Sequence, residues 1–321
     1  MPPEAAPNLE LLTMGRVGVD LYPEQIGVPL AQVRTFRKML GGSATNVAVA
    51  AARLGRRAGV ITKVGDDPFG PYVRQALAEF GVDASRVGTD PDLRTPIVFC
   101  EIFPPDRFPI LFYRQPKAPD MNLTLDDVDR DEVARVPLFW TTGTGLSDEP
   151  SRSTTLAALR ARPRGALTVH DLDYRPVFWS SEEEARRLGR EALRHATVAV
   201  GNVAEVAVVV GELTPEDAAE ALVELGVDVA VVKLGEEGVL ARTRDERVSV
   251  PPIAVEVLCG LGAGDAFGGA LCHALLSGWE LERTVRFANA AGALNASRLG
   301  CADDMPTFEE IEALLEATAA R

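Results

Sequence analysis

Around residue 260 the chain reads Val257-Leu258-Cys259-Gly260-Leu261-Gly262-Ala263-Gly264-Asp265-Ala266-Phe267-Gly268-Gly269-Ala270. Three glycines in five residues permit tight turns and positive φ, so backbone N–H groups can converge on one point. An Ala/Leu-rich helical pattern opens directly behind them. A helix N-terminus carries unpaired N–H donors and partial positive charge, which attract phosphate. Asp265 would be repelled by a phosphate bound there, so its presence is odd unless it takes part in a reaction. The competing account is a glycine-rich turn capped by Asp265. Other glycine-loop chemistries fail on spacing. G-x-G-x-x-G ends on Asp265 when started at Gly260 and on Phe267 when started at Gly262. No G-x-x-x-x-G-K-[ST] occurs, and His170-Asp171 lacks the intervening Arg of protein kinases.

Two further segments place polar side chains at helix starts. Gly41-Gly42-Ser43-Ala44-Thr45-Asn46 is again a glycine turn into a helix, for which an N-capped helix of small, closely packing residues is the alternative. In Asn202-Val203-Ala204-Glu205 the outer residues are three apart and share a helix face, so amide and carboxylate could jointly hold a hydrated Mg²⁺. N-x-x-E is equally a capping pattern, and Ser181…Glu184 and Thr307…Glu310 repeat such spacing with no chemistry attached.

The elements that must position these residues alternate. Leu9–Val19, Ala58–Val64, Leu138–Thr142, Ala166–His170, Thr197–Val200 and Val229–Leu234 are apolar runs without period-two alternation, as in parallel strands covered on both faces. Helical patterns fill the gaps at Ser43–Leu54, Pro68–Phe80, Ser151–Arg162, Glu182–His195, Pro215–Leu225 and Ala263–Leu276. Thr214-Pro215-Glu216-Asp217 is a capped helix start with Pro at the first helical position, and Gly226 ends that helix. The alternation predicts an α/β fold with right-handed crossovers. Gly18–Arg37 and Arg94–Lys117 break the rhythm. The second reads as a hairpin, Pro96–Phe103 and Phe108–Tyr113 about a Pro104-Pro105-Asp106-Arg107 turn, and the two together as a small projecting β-sheet able to act as a lid. Met1–Asn8 reads as a mobile tail.

Composition narrows the function classes. The 321 residues are 46% hydrophobic and 25% charged, ordinary for a soluble globular protein with a sizeable core. Against 33 Lys and Arg stand 47 Asp and Glu, a formal charge of −14 that repels nucleic acid and anionic membrane. Four cysteines and three histidines are scattered without metal-ligand spacing. The opening MPPEAAPNLE lacks the basic and apolar regions of a signal peptide, and no apolar stretch is long enough to span a bilayer, so the expected location is the cytoplasm.

Gly41-Gly42…Asn46, Asn202…Glu205 and Gly262-Ala263-Gly264-Asp265, in this order across nearly the whole chain, resemble the ribokinase-like (PfkB) carbohydrate kinases. Within that family, Gly15–Pro23, Pro116–Leu123 and Cys259-Gly260-Leu261-Gly262 are similar to a sugar-acid kinase of myo-inositol catabolism that phosphorylates the 6-hydroxyl of 5-dehydro-2-deoxy-D-gluconate. The resemblance implies one ribokinase-like domain over 1–321, with a mostly parallel sheet, helices on both faces and a β-sheet lid from about 18–40 and 94–117. It implies ATP and Mg²⁺ as cofactors, Asp265 as catalytic base, and the Gly262, Ala263 and Gly264 backbone as anion hole. At a helix N-terminus Asp265 is expected to be ionised and only weakly basic. Sugar contacts fall to Asp20, Gly42, Asn46, Tyr113, Arg114 and Arg175, the arginines serving a carboxylate. Lys233, Gly235, Gly238 and Asn289 fall on the nucleotide side, and Asn202 with Glu205 on Mg²⁺ through water. Most relatives carry Asp-Thr where Cys259-Gly260 stands, which leaves a K⁺ requirement open; Cys259 itself reads as packing. Alternatives are 2-dehydro-3-deoxygluconate or a neutral sugar such as fructose or ribose as substrate, and a non-catalytic sugar-binding regulator on the same fold. Relatives' lids often pair, so a homodimer through the lid is a further expectation.

Overall fold

The computed structural model describes residues 8–319; Met1–Pro7, most of the tail read as mobile, lie outside the described residues. Thirteen strands among them form two sheets. The large one holds β1 (Leu11–Met14), β4 (Ala58–Gly65), β5 (Val87–Asp90), β8 (Leu138–Thr142), β9 (Thr168–Asp171), β10 (Val198–Asn202), β11 (Val229–Lys233), β12 (Val239–Arg242) and β13 (Arg247–Val250). Their order is β13-β12-β11-β10-β9-β8-β1-β4-β5, parallel from β11 to β5, with β12 and β13 added antiparallel. The apolar runs become strands buried on both faces: every residue of β1, β8 and β9 is buried. This is the α/β architecture with parallel, doubly covered strands that the alternation predicts.

The described residues form ten α-helices: α1 (Ser43–Arg53), α2 (Phe69–Glu79), α3 (Arg130–Arg135), α4 (Ser151–Ala161), α5 (Glu182–Leu193), α6 (Val203–Val210), α7 (Pro215–Glu224), α8 (Ala263–Leu276), α9 (Leu281–Ala296) and α10 (Phe308–Ala319). Start signals act as their chemistry dictates. Thr214 Oγ1 accepts from the Asp217 amide at 3.2 Å, and Gly226 leaves the helix at φ 116°. The Asp67 carboxylate accepts from the amides of Phe69 and Gly70 ahead of α2.

Four strands form the small sheet in the order β3-β2-β6-β7: β2 (Gly18–Pro23), β3 (Phe36–Gly41), β6 (Ile97–Cys100) and β7 (Ile110–Tyr113). Leu9–Val19, expected as one strand, is therefore two elements in different sheets. Gly15 takes φ 152° and the chain leaves the main layer at Arg16 and Val17. An apolar run carries no mark of which sheet its residues join, so only the glycine hints at the break. The sequence reading also has no counterpart for β5, β12, β13, α3, α9 and α10.

Candidate active site

Polar residues gather at the carboxyl ends of the parallel strands, where open α/β sheets bind ligands. Arg16 lies two residues beyond β1, Thr144 two beyond β8 and Asp173 two beyond β9, while Asn202 and Lys233 end β10 and β11. Helices α1 and α8 close the site from one side. Their contact is built of small residues, since a Cβ on Gly269 would lie 2.3 Å from the Ala50 Cβ. One turn earlier on each helix stand Asn46 and Asp265, and Asn46 Nδ2 donates to Asp265 Oδ2 at 2.8 Å. Both pairs advance in the same direction, so the two helices turn their positive N-terminal ends toward one spot.

The two residues entering these helices have to be glycine. Gly42 has φ 102°, and a Cβ there would lie 2.4 Å from the Arg16 carbonyl oxygen. Gly262 has φ 84°, and its Cβ would meet Cys301 Sγ at 2.6 Å. Beyond Gly262, the amides of Gly264 and Asp265 find no acceptor among the described residues. Those are the donors a phosphoryl group would use.

Two cavities share this turn. Arg16, Asp20, Asn46, Arg175, Gly262 and Asp265 line the first. Lys233, Gly235, Gly238, Ala263, Gly264 and Asn289 line the second. Consecutive residues of one turn thus face a polar pocket on one side and a larger groove on the other. The β6–β7 hairpin borders both: Val98, Cys100, Ile110 and Phe112 face the first cavity, and Pro105, Asp106 and Phe108 the second.

Electrostatics corrects the expectation of a weakly basic Asp265. Burial pushes its carboxyl up to about 6; the Asn46 hydrogen bond pulls down, Asp173 pushes up, and Arg16 and Lys233 pull down. The helix end does not outweigh desolvation. Burial likewise takes Asp20 to about 7, with Arg16 lowering and Asp265 raising it. Lys233 is pulled down by burial but held above its ordinary value by Asp171, Glu205, Asp265 and Asp173. A Cβ on Gly264 would sit 3.3 Å from Lys233 Nζ, so the ammonium lies beside the unpaired amides.

The remaining expected residues divide. Asp20, Asn46 and Arg175 line the first cavity, and Lys233, Gly235, Gly238 and Asn289 line the second. Asn289 Nδ2 donates to the Pro251 carbonyl oxygen at 3.0 Å, and Gly238 at φ 94° lets the chain pass Val250. Asn202 and Glu205 form a reciprocal capping box: the Glu205 amide donates to Asn202 Oδ1 at 2.9 Å and the Asn202 amide to Glu205 Oε2 at 2.8 Å. Cys259 is fully buried among Tyr22, Met39, Cys100 and Cys301, with its thiol pushed up to about 11 by burial, offset in part by the Leu261 amide.

Of the residues expected on the sugar side, Gly42, Tyr113 and Arg114 do not line the first cavity. Side chains alternate along a strand, and Ile110 and Phe112 of β7 face inward, which turns Tyr113 out to 60% exposure against Phe99. Arg114 makes a buried two-pronged ion pair with Asp120, whose Oδ2 also accepts from the Val17 amide at 3.0 Å. That pair fastens the root of β7 to the β1–β2 crossing. Arg114→Ala leaves Asp120 buried without its cation and is expected to cost about 3 kcal/mol or more in denaturant unfolding. An unchanged unfolding midpoint would show the pair to be dispensable.

Sequence reasoning passed over Arg16, Ser43, Thr144 and Asp173. Arg16 Nε donates to Thr144 Oγ1 at 3.0 Å, and its Nη2 to Asp173 Oδ2 at 2.9 Å and Ser43 Oγ at 3.2 Å. The signal was present: Arg16 is the one cation inside the apolar stretch Leu9–Val19, between two glycines.

A large, mostly parallel sheet covered by helices, with a small separate sheet beside it, is the fold of the ribokinase-like phosphotransferases, which use an alcohol as acceptor. The chain belongs to the pfkB family of carbohydrate kinases, matching it over residues 8–308. It is 35% identical to the 5-dehydro-2-deoxygluconokinase of Photobacterium profundum over 96% of this chain and 95% of that protein. It is 33% identical to the enzyme of the same name from Clostridium perfringens, over 96% and 93%. Fructokinase from Vibrio cholerae O395, solved with fructose, ADP and calcium ion bound, superimposes with a TM-score of 0.83 at 28% identity, covering 96% of this chain and 99% of that one.

Proposed function

We propose that this carbohydrate kinase transfers the terminal phosphoryl group of ATP to the 6-hydroxyl of 5-dehydro-2-deoxy-D-gluconate. The observation that carries the reading is Asp265, held by Asn46 at the turn where a polar pocket containing two arginines meets the groove lined by Lys233 and Gly264. Relatives of that name over nearly the full chain support the substrate.

Asp265 aligns the hydroxyl and takes its proton at a carboxylate oxygen as the bond to phosphorus forms, and its raised proton affinity suits it to that role near neutral pH. The Gly264 and Asp265 amides and the Lys233 ammonium face the charge that spreads over the transferred group, where preorganised donors count most. Asp20 and Asn46 position the sugar; Asn46 Oδ1 is buried without a partner and awaits a hydroxyl. Asn202 and Glu205 would hold magnesium through water, and the ion would supply positive charge against the phosphates. Glu205 spends Oε2 on its helix cap and keeps Oε1 for a hydrated cation, so the residues fit contact through water rather than direct ligation by the pair. Cys259, a buried neutral thiol, supplies no carboxylate to a monovalent cation.

ADP release from the purified protein should be fastest with 5-dehydro-2-deoxygluconate in a panel that includes 2-dehydro-3-deoxygluconate, fructose and ribose. A higher kcat/KM for any of the others would reassign the substrate. No ADP release with any of them, under tight sugar binding, would point to a regulator.

A further inference from the structure

Arg16 sits where the chain passes from the large sheet to the small one, 7% exposed, with its guanidinium in the wall of the sugar-side cavity. Its Nε and Nη2 are taken by Thr144, Ser43 and Asp173. Nη1 has no acceptor among the described residues. The rings of Phe112 and Phe178 lie 5.9 and 5.8 Å from the guanidinium carbon. Bonds on two nitrogens and two flanking rings fix the group, leaving the two N–H donors of Nη1 for something that enters the cavity.

Asp173 is the post on which this depends. It adopts φ 23°, a region that costs a non-glycine residue energy and that Asp and Asn tolerate best. Its Oδ2 accepts from Arg16, from Ser43 Oγ at 3.0 Å and from Thr144 Oγ1 at 3.0 Å, and its Oδ1 is 3.3 Å from Arg175 Nε. Burial works against the ionised form, but Arg16 and Arg175 hold this carboxyl below its usual range. One negative charge thus orients two positive ones, with the carboxyls of Asp20 and Asp265 lining the same cavity. A neutral sugar can offer the Nη1 donors only hydroxyl oxygens, whereas a carboxylate gives them charge-assisted bonds.

We propose that Arg16 is the specificity-determining residue of the sugar site, its Nη1 receiving the substrate's carboxylate, and that Asp173 is the positioning residue that aims it. The inference rests on the sugar-acid reading above. It separates Arg16, together with Arg175, from the structural Arg114.

The test is kinetic. Arg16→Gln is assayed by ADP release with 5-dehydro-2-deoxygluconate, and competitive inhibition by gluconate is compared with inhibition by sorbitol, its uncharged alditol. Because Arg16→Gln leaves Asp173 buried with less compensation, the charge-balanced double variant Arg16→Gln/Asp173→Asn is assayed alongside and carries the test if the single variant does not fold. The expected result is a KM for the acid higher by roughly 10- to 100-fold, the range of a lost charge-assisted hydrogen bond, with the loss in kcat smaller than that in KM. The preference for gluconate over sorbitol disappears with it. A fall in kcat at unchanged KM, or a gluconate preference kept at the wild-type ratio, overturns the proposal. Wild-type protein that turns over a neutral sugar but not the acid overturns the substrate reading itself, and this is seen before any variant is made.

Discussion

Asp265→Asn is expected to lower kcat by about 10³-fold or more while leaving the KM for ATP within a few-fold of wild type. The substitution keeps the shape of the side chain and an oxygen to accept the bond from Asn46 Nδ2, and it leaves the Gly264 and Asp265 amides in place. What it removes is the group that takes the hydroxyl proton. Single-turnover phosphoryl transfer measures the effect without product release, and turnover within tenfold of wild type would take the base away from Asp265. Its proton affinity gives a second readout. A base acts when unprotonated, and burial sets this carboxyl at about 6. The kcat/KM for the sugar should therefore rise tenfold per pH unit on the acid side and level off above that value. Asp20, raised to about 7 by burial, lies in the same cavity and broadens the limb if its charged form also contacts the sugar. In Asp20→Asn the residual activity should show one limb near 6. A profile flat down to pH 4 contradicts the assignment.

Gly262→Ala should cost about 10² to 10³ in kcat and also raise the KM for ATP. Two effects add. At φ 84° any side chain pays roughly 1–2 kcal/mol of backbone strain. The new Cβ would also meet Cys301 Sγ at 2.6 Å and Asn295 Oδ1 at 3.0 Å. Asn295 is completely buried, so it has no room to retreat. Relief comes only by shifting the start of α8, which turns the unpaired amides away from the group they should face. Adding Cys301→Ala removes the sulfur clash and should return part of the lost rate, leaving the φ penalty and the contacts with the residue-301 Cβ at 2.9 Å and Asn295 Oδ1 at 3.0 Å. Full wild-type rate in the single variant would mean that the turn does not stabilise the transferred group.

Much of this architecture was legible because parallel, doubly covered strands announce themselves as unbroken apolar runs, and capped helices by their flanking residues. Ser43, Ser151, Glu182, Pro215 and Ala263 each open a helix at the residue where the pattern begins. Leu9–Val19 misled because hydrophobicity is silent about which sheet a strand joins. The turn that opens α8 was legible from the order of Gly262, Gly264 and Asp265. The arginines were not, because a side chain's direction after a strand depends on pleat and on partners distant in sequence. Tyr113 faces outward by alternation, and Arg114 finds Asp120 six residues on. Arg16 meets Asp173 across 157 positions, a pairing that only the fold creates. The Asn202–Glu205 spacing suited a cation and a helix cap equally, and the structure uses it as a cap.

The β6–β7 hairpin has one stretch of backbone against each compartment, with Phe108 about 3 Å from where a side chain on Gly260 would begin. A wall common to two chambers cannot reposition for one guest without reshaping the room of the other. Whatever factor the sugar contributes to nucleotide affinity, the nucleotide must therefore return to the sugar in equal measure, since the cycle of binding steps closes.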